Sequence, residues 1–159
     1  MNEENEDPVE ELAIFQKGRE VFDLVKRIGD LIPEDNEHLQ DVKAEILADA
    51  IPLSVKIAGA NHVGLCDLKM EAAAIIRKAA RDLMVKRHSL EMYGFAEVEY
   101  FQLVRDLMEE YRLLFVDWVA GFDQWDYIID RWGLFNPPGV GPYDKDPDDD
   151  ISQNDFDLE

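Results

Sequence analysis

Residues 65–93 read LCDLKMEAAAIIRKAARDLMVKRHSLEMY, and this stretch decides the fold class. Leu68, Ala72, Ile75, Ile76, Ala79, Leu83 and Leu90 recur at helical steps, so one apolar face runs along the whole segment. Gly94 follows directly and fits a left-handed helix cap. The spacing therefore predicts a helix over 65–93 that buries one side.

Upstream, Gly59 and the turn Asn61-His62-Val63-Gly64 separate this helix from an earlier periodic run over 37–60. Leu39, Val42, Ile46, Leu47, Ala50, Leu53, Ile57 and Ala58 form its inner side, and Pro52 interrupts it. An internal proline removes one backbone hydrogen bond and crowds the preceding turn, at about 3 kcal/mol unless the helix bends. A kink is expected there, without a break. Earlier still, Asp7-Pro8 reads as a helix start, with Asp accepting from first-turn amides and Pro placed where its missing N–H costs nothing. Leu12, Phe15, Phe22, Val25, Ile28, Leu31 and Ile32 then carry the period to Pro33, which stops it.

Downstream, a fourth segment runs from Phe95 or Ala96 to Gly121 through Val98, Phe101, Val104, Leu107, Met108, Tyr111, Leu114, Phe115, Trp118 and Val119. Four helices of about 24 to 29 residues joined by short turns favour antiparallel neighbours around one core. The expected fold is all-α: an antiparallel up-and-down four-helix bundle over 8–121. An acidic arm (1–7) precedes it. An aromatic extension (122–135), read as a short fifth helix, follows, and then a Pro/Gly linker with an acidic disordered tail (136–159).

The formal charge of −20 is concentrated at the ends. Residues 1–11 hold six acids and no base, and residues 136–159 hold eight acids against one base. Such a chain does not bind phosphate backbones broadly, because that affinity comes from clustered Lys and Arg. The single cysteine, Cys66, excludes an intramolecular disulfide and suits a reducing cytoplasm. The acidic start is unlike a secretion signal, and no uncharged run approaches the ~18 residues of a membrane span. Neither export nor a membrane is expected.

Enzyme signatures are missing. A carboxylate-bridged di-metal bundle needs Glu-x-x-His pairs, and His38, His62 and His88 are preceded three residues earlier by Asp35, Gly59 and Val85. Ser54 and Ser89 lack a nucleophile context, Cys66 lacks a paired histidine, and no phosphate-binding glycine motif is present. No catalytic residue, metal or cofactor is assigned.

Two patches remain as binding candidates. Arg77, Lys78, Arg81, Lys86 and Arg87 form one basic cluster, read either as a solvated face pairing with neighbouring acids or as a contact for nucleic acid or an acidic partner. Trp118, Phe122, Trp125, Tyr127, Trp132 and Phe135 concentrate aromatic surface near the end of the fourth helix. They either cap the bundle or form an oligomer or partner interface, where aromatic residues are enriched.

The order of features also resembles a known family. Ile14-Phe15-Gln16-Lys17-Gly18-Arg19-Glu20 running to Ile32-Pro33, then Ile51-Pro52 and Ile57-Ala58, then Ala96-Glu97-Val98-Glu99-Tyr100 to Trp118, is similar to the four-helix-bundle family of ribosomal-RNA intervening-sequence proteins. That bundle is shared by accessory variability proteins of diversity-generating retroelements. The resemblance covers about residues 12–121 and implies a homopentamer that binds a reverse transcriptase and nucleic acid. The expected function is thus a non-enzymatic oligomeric scaffold, with a retroelement accessory role as its most concrete form. The alternative is an acidic phage- or plasmid-type protein that binds a basic partner or mimics nucleic acid.

Overall fold

In the computed structural model, residues 8–147 are described, and all their regular structure is helical, without strands. The elements are α1 (Ala13–Gly29), α2 (Glu37–Ala50), α3 (Pro52–Asn61), α4 (Cys66–Met92) and α5 (Phe101–Ala120), with 3-10 turns at Val9–Glu11 and Val98–Tyr100. The arm 1–7, with its expected Asp7 cap, and residues 148–159 of the acidic tail lie outside the described residues.

The first helix starts later than its sequence suggests. Pro8 opens a 3-10 turn, Leu12 is extended, and α1 begins at Ala13. That break lets Val9 fold back and become buried alongside Ile14. At the other end α1 stops at Gly29, so Leu31, expected inside, is exposed while Ile32 is buried.

At Pro52 the single kinked helix expected over 37–60 is divided into α2 and α3, with Ile51 between them. Ile51 keeps helical angles, its amide reaches the Leu47 carbonyl at 3.3 Å, and the Val55 amide reaches the Ile51 carbonyl at 3.2 Å. α2 and α3 are thus joined through helical Ile51, and the Ser54 amide donates to the Ile51 carbonyl, one residue short of its α-helical partner. Asn36 caps the start of α2 by accepting from the Leu39 amide at 3.1 Å, and His38 stacks on Tyr93 at 4.8 Å.

The end of α4 follows the sequence closely. Gly94 has φ of 81°, its amide donates to the Glu91 carbonyl, and the Phe95 amide donates to the Leu90 carbonyl. This double bond with buried Phe95 over buried Leu90 is the Schellman closure, which needs a residue without Cβ strain at Gly94. The inner face of α4 is rotated from the expected one: Ala73, Ile76, Ala79, Leu83 and Leu90 are buried, whereas Leu68 and Ile75 are exposed. These two lie seven apart on the flank of the stripe.

α1 packs on α2, α3 and α5, and α4 packs on α2 and α3 while meeting α5 less extensively. At the centre the backbones of α1 and α3 approach so closely that a Cβ on Gly18 would stand 2.4 Å from the Leu53 carbonyl oxygen. That same carbonyl accepts from the buried Tyr111 hydroxyl of α5 at 2.7 Å. Three helices are thus locked at one point, and desolvation pushes the Tyr111 phenol far above its ordinary titration range.

Candidate functional site

The expected fifth helix over 122–135 does not form; these residues run through turns and bends. The cause is local. Asp and Asn side chains capture backbone amides here in competition with helical hydrogen bonding. Asp123 accepts from the Trp125 amide at 3.0 Å. Asp130 accepts from Trp132, Leu134 and Phe135 amides at 2.9, 2.8 and 2.8 Å, with Gly133 at φ 72° inside the loop so formed. These amide donors hold the Asp130 carboxyl below its usual range, so it stays ionised.

The segment read as a linker is fastened to this loop. Asn136 pairs with both backbone groups of Asp130, accepting from its N–H at 2.8 Å and donating to its carbonyl at 2.9 Å. Arg131 donates to the Pro142 and Asp144 carbonyls and to the Asp146 carboxylate, and Asp146 accepts from the Ile129 amide at 2.7 Å. Ile129 and Pro137 are buried anchors, and the Cys66 amide donates to the Asp126 carbonyl at 2.8 Å, tying the extension to the first turn of α4. Residues 136–147 are therefore part of the folded extension, which corrects their reading as a linker leading straight into a tail.

What this scaffold displays is apolar. Trp132 and Tyr143 are each 96% exposed, Leu134 72% and Trp125 60%. Of the other expected aromatics, Trp118, Phe122, Tyr127 and Phe135 are half-buried. Trp118 and Phe122 meet edge-on at 4.7 Å, Trp125 and Tyr127 at 6.4 Å, and the Lys69 ammonium sits 5.7 Å from the Phe122 ring centre. The six aromatics thus serve two purposes: some close the end of α5, while Trp125 and Trp132 face outward.

Leu134 and Phe135 form a wall shared by neighbouring hollows. One, of about 460 Å³, runs between α4 and α5 over Met70, Ala73, Ala74, Phe115 and Val119, with Arg77 at its rim. Another, of about 540 Å³, lies between the first two turns of α4 and the Trp132 loop, lined by Asp67, Glu71, Asp130 and Trp132. Asp67 Oδ1 is itself buried and has no hydrogen-bond partner among the described residues. The sequence reading missed Leu134, Tyr143 and these carboxylates as site residues. The available signal was the Asp/Asn/Gly/Pro density around them, which marks side-chain-held turns.

The five cations of the cluster expected on α4 do not converge. Lys86 pairs with Glu45 on α2, whereas Arg87 bonds Glu91 at 2.9 Å and approaches Glu99 beyond the helix end at 3.6 Å. Lys78 pairs with Asp82 at 2.5 Å, and Arg81 lies 4.0 Å from the same carboxylate. Arg77 makes no ion pair among the described residues. Most of the cluster is already neutralised by acids of the same fold.

Burial pushes the Cys66 thiol up, with Asp67, Asp123 and Asp126 adding to the effect, which disfavours the reactive thiolate. Among the described residues no three His, Cys, Asp or Glu side chains gather as a metal site would need. No described helix is long and apolar enough to cross a membrane. No protein-family model matches the chain, and no curated protein or solved structure matches it.

Proposed function

We propose that this chain is a non-enzymatic helical binding protein whose docking surface is the extension 121–147, and that its target is another protein. One observation carries the reading: a loop held by a dense set of side-chain to backbone hydrogen bonds presents Trp132 almost fully, and Leu134 largely, to solvent. Ordering a loop costs conformational entropy, and an exposed indole returns little of it in the isolated chain. Burial against a partner supplies that return, and aromatic anchors on a rigid frame lose little further entropy on binding.

The neutralised cations on α4 favour a protein target over nucleic acid, since few charges remain free to displace counterions from phosphates. The short connections between successive rods, together with the contacts of α1 and α4 to both α2 and α3, support an antiparallel up-and-down arrangement of the bundle. Assembly into a homo-oligomer acting beside a reverse transcriptase is the form that the family resemblance adds. It rests on residues 12–121 rather than on the extension. The lone buried thiol accords with a cytoplasmic setting.

The test is quantitative affinity capture with wild type and a W132A/L134A variant at equal loading, followed by light scattering and paired absorbance at 260 and 280 nm. A protein retained in fixed stoichiometry by wild type and lost by the variant, with unchanged helicity, is the expected result. Equal retention by both proteins would remove the extension from the function. Nucleic acid bound by both and released by salt would return the role to α4.

A further inference from the structure

The hollow between α4 and the Trp132 loop has a composition that the docking reading alone does not explain. Its walls combine an open indole and the apolar edges of Leu134 and Phe135 with the carboxylates of Asp67, Glu71 and Asp130. A purely apolar anchor from a partner would leave three acids facing it. Two local explanations account for part of this arrangement. An acid in the first turn of a helix complements the helix dipole, which covers Asp67. Asp130 is consumed by its three loop amides. Neither explains why Glu71, one turn further on, borders the same space, or why Trp132 stands open beside them.

We propose that this hollow receives a cationic side chain, arginine in preference to lysine, from a basic segment of the protein partner. The inference rests on the docking surface assigned above and specifies its chemistry. A guanidinium is planar, so it can lie on the Trp132 indole face while its edge donates to carboxylate oxygens of Asp67 and Glu71. The hollow of about 540 Å³ has room for such a head group and its stem. Charge complementarity extends past the hollow, because Asp123 and Asp126 flank the start of α4 and the whole chain carries −20. A field of that sign speeds the approach of a basic segment and repels acidic ones. Within this hollow it favours a basic segment of a different protein over the acidic ends of a second copy.

The probe is a blocked tripeptide, acetyl-Arg-Leu-Arg-amide, titrated at about 0.1 M salt into the intact chain labelled with ¹⁵N, with acetyl-Lys-Leu-Lys-amide as the equal-charge comparison. The chain has three tryptophans, so three indole N–H signals report, and W132F assigns the relevant one. The expected result is a saturable shift of the Trp132 indole that is at least about threefold tighter for the arginine peptide, as stacking of the planar group requires. D67N/E71Q should weaken binding about tenfold or more, whereas E34Q/D35N, which removes the same charge from the distant turn after α1, should leave it nearly unchanged. Equal binding of both peptides with equal sensitivity to both double variants would reduce the effect to net charge and overturn the proposal. A Trp132 shift produced by an oligouridylate instead of the peptides would make the loop a base-stacking platform and also overturn it. If neither peptide moves Trp132 while W132A/L134A still loses its captured protein, the cation site fails and the docking surface stands.

Discussion

The helical body and the extension hold themselves together by opposite means. In the body, Val21, Ile46, Leu53, Leu83, Val104 and Tyr111 are buried almost completely, and stability comes from apolar packing with backbone bonds closed inside each helix. In the extension few side chains are buried, and Asp130, Asn136, Arg131 and Asp146 replace a core by seizing backbone groups. The difference teaches where each region can change. A packed body resists any added atom, whereas a side-chain-tied loop depends on a few polar atoms and leaves its apolar residues outward.

The largest effect should come from challenging the packing at its closest point. In G18A the new methyl would meet the Leu53 carbonyl oxygen at 2.4 Å and its carbon at 2.7 Å, both rigid backbone atoms, so α1 must move off α3. The expected loss is about 3 kcal/mol, the upper end for overpacking a core, read as a lowered urea midpoint. Gly59 in α3 is the internal control, because a Cβ there meets nothing within 4 Å. G59A should stabilise by about 0.5–1 kcal/mol through helix propensity alone. If both variants moved the midpoint in the same direction, the close approach at Gly18 would not be what locks α1 to α3.

Removing the main tie of the extension should act locally. D130A strips three amides of their acceptor at once, so exchange of the Trp132, Leu134 and Phe135 amides should accelerate by about 10- to 100-fold, one to three net hydrogen bonds' worth. The urea midpoint of the body should hardly move, because the loop buries little of the core. A cooperative fall in global stability would merge the two regions into one unit.

The same contrast explains what could be read from the residues. Helix positions were legible because period and punctuation agree: Pro33 follows α1 and Gly94 closes α4. The phase of α4 was less legible, since Leu68 and Ile75 fit a helical stripe as well as Ala73 does, and only tertiary neighbours choose among them. The start of α1 was misplaced because Pro8 suits a 3-10 turn as readily as a first helical turn. In the candidate site, Trp125 and Trp132 were legible by type, but their setting was not. A run such as Asp130-Arg131-Trp132-Gly133-Leu134-Phe135 has helix-compatible apolar spacing, and the hydrogen bonds that win there come from a side chain, leaving no periodic trace. Asp67 and Glu71 were invisible for a further reason: they matter only through a loop some sixty residues away that closes over them.

The smallest effect tests the body's one buried polar tie, and it carries a sign reversal. In Y111F the Leu53 carbonyl loses its hydroxyl donor at a buried site, which should cost about 1 kcal/mol at neutral pH. The Tyr111 phenol is held neutral by burial in the folded chain, but in the unfolded chain it ionises near its ordinary pKa of about 10. Its contribution is therefore complete below about pH 10 and is lost as pH rises toward its folded pKa, at about 1.4 kcal/mol per pH unit for this single group. Phenylalanine has no such term, while the other titrating groups contribute equally to both proteins. The wild type should accordingly be the more stable of the two at pH 7 and the less stable somewhat above pH 11, as measured by urea midpoints across that range. Parallel curves with no crossing would mean that the phenol is solvated in the folded chain and that the three-helix junction at Leu53 is open.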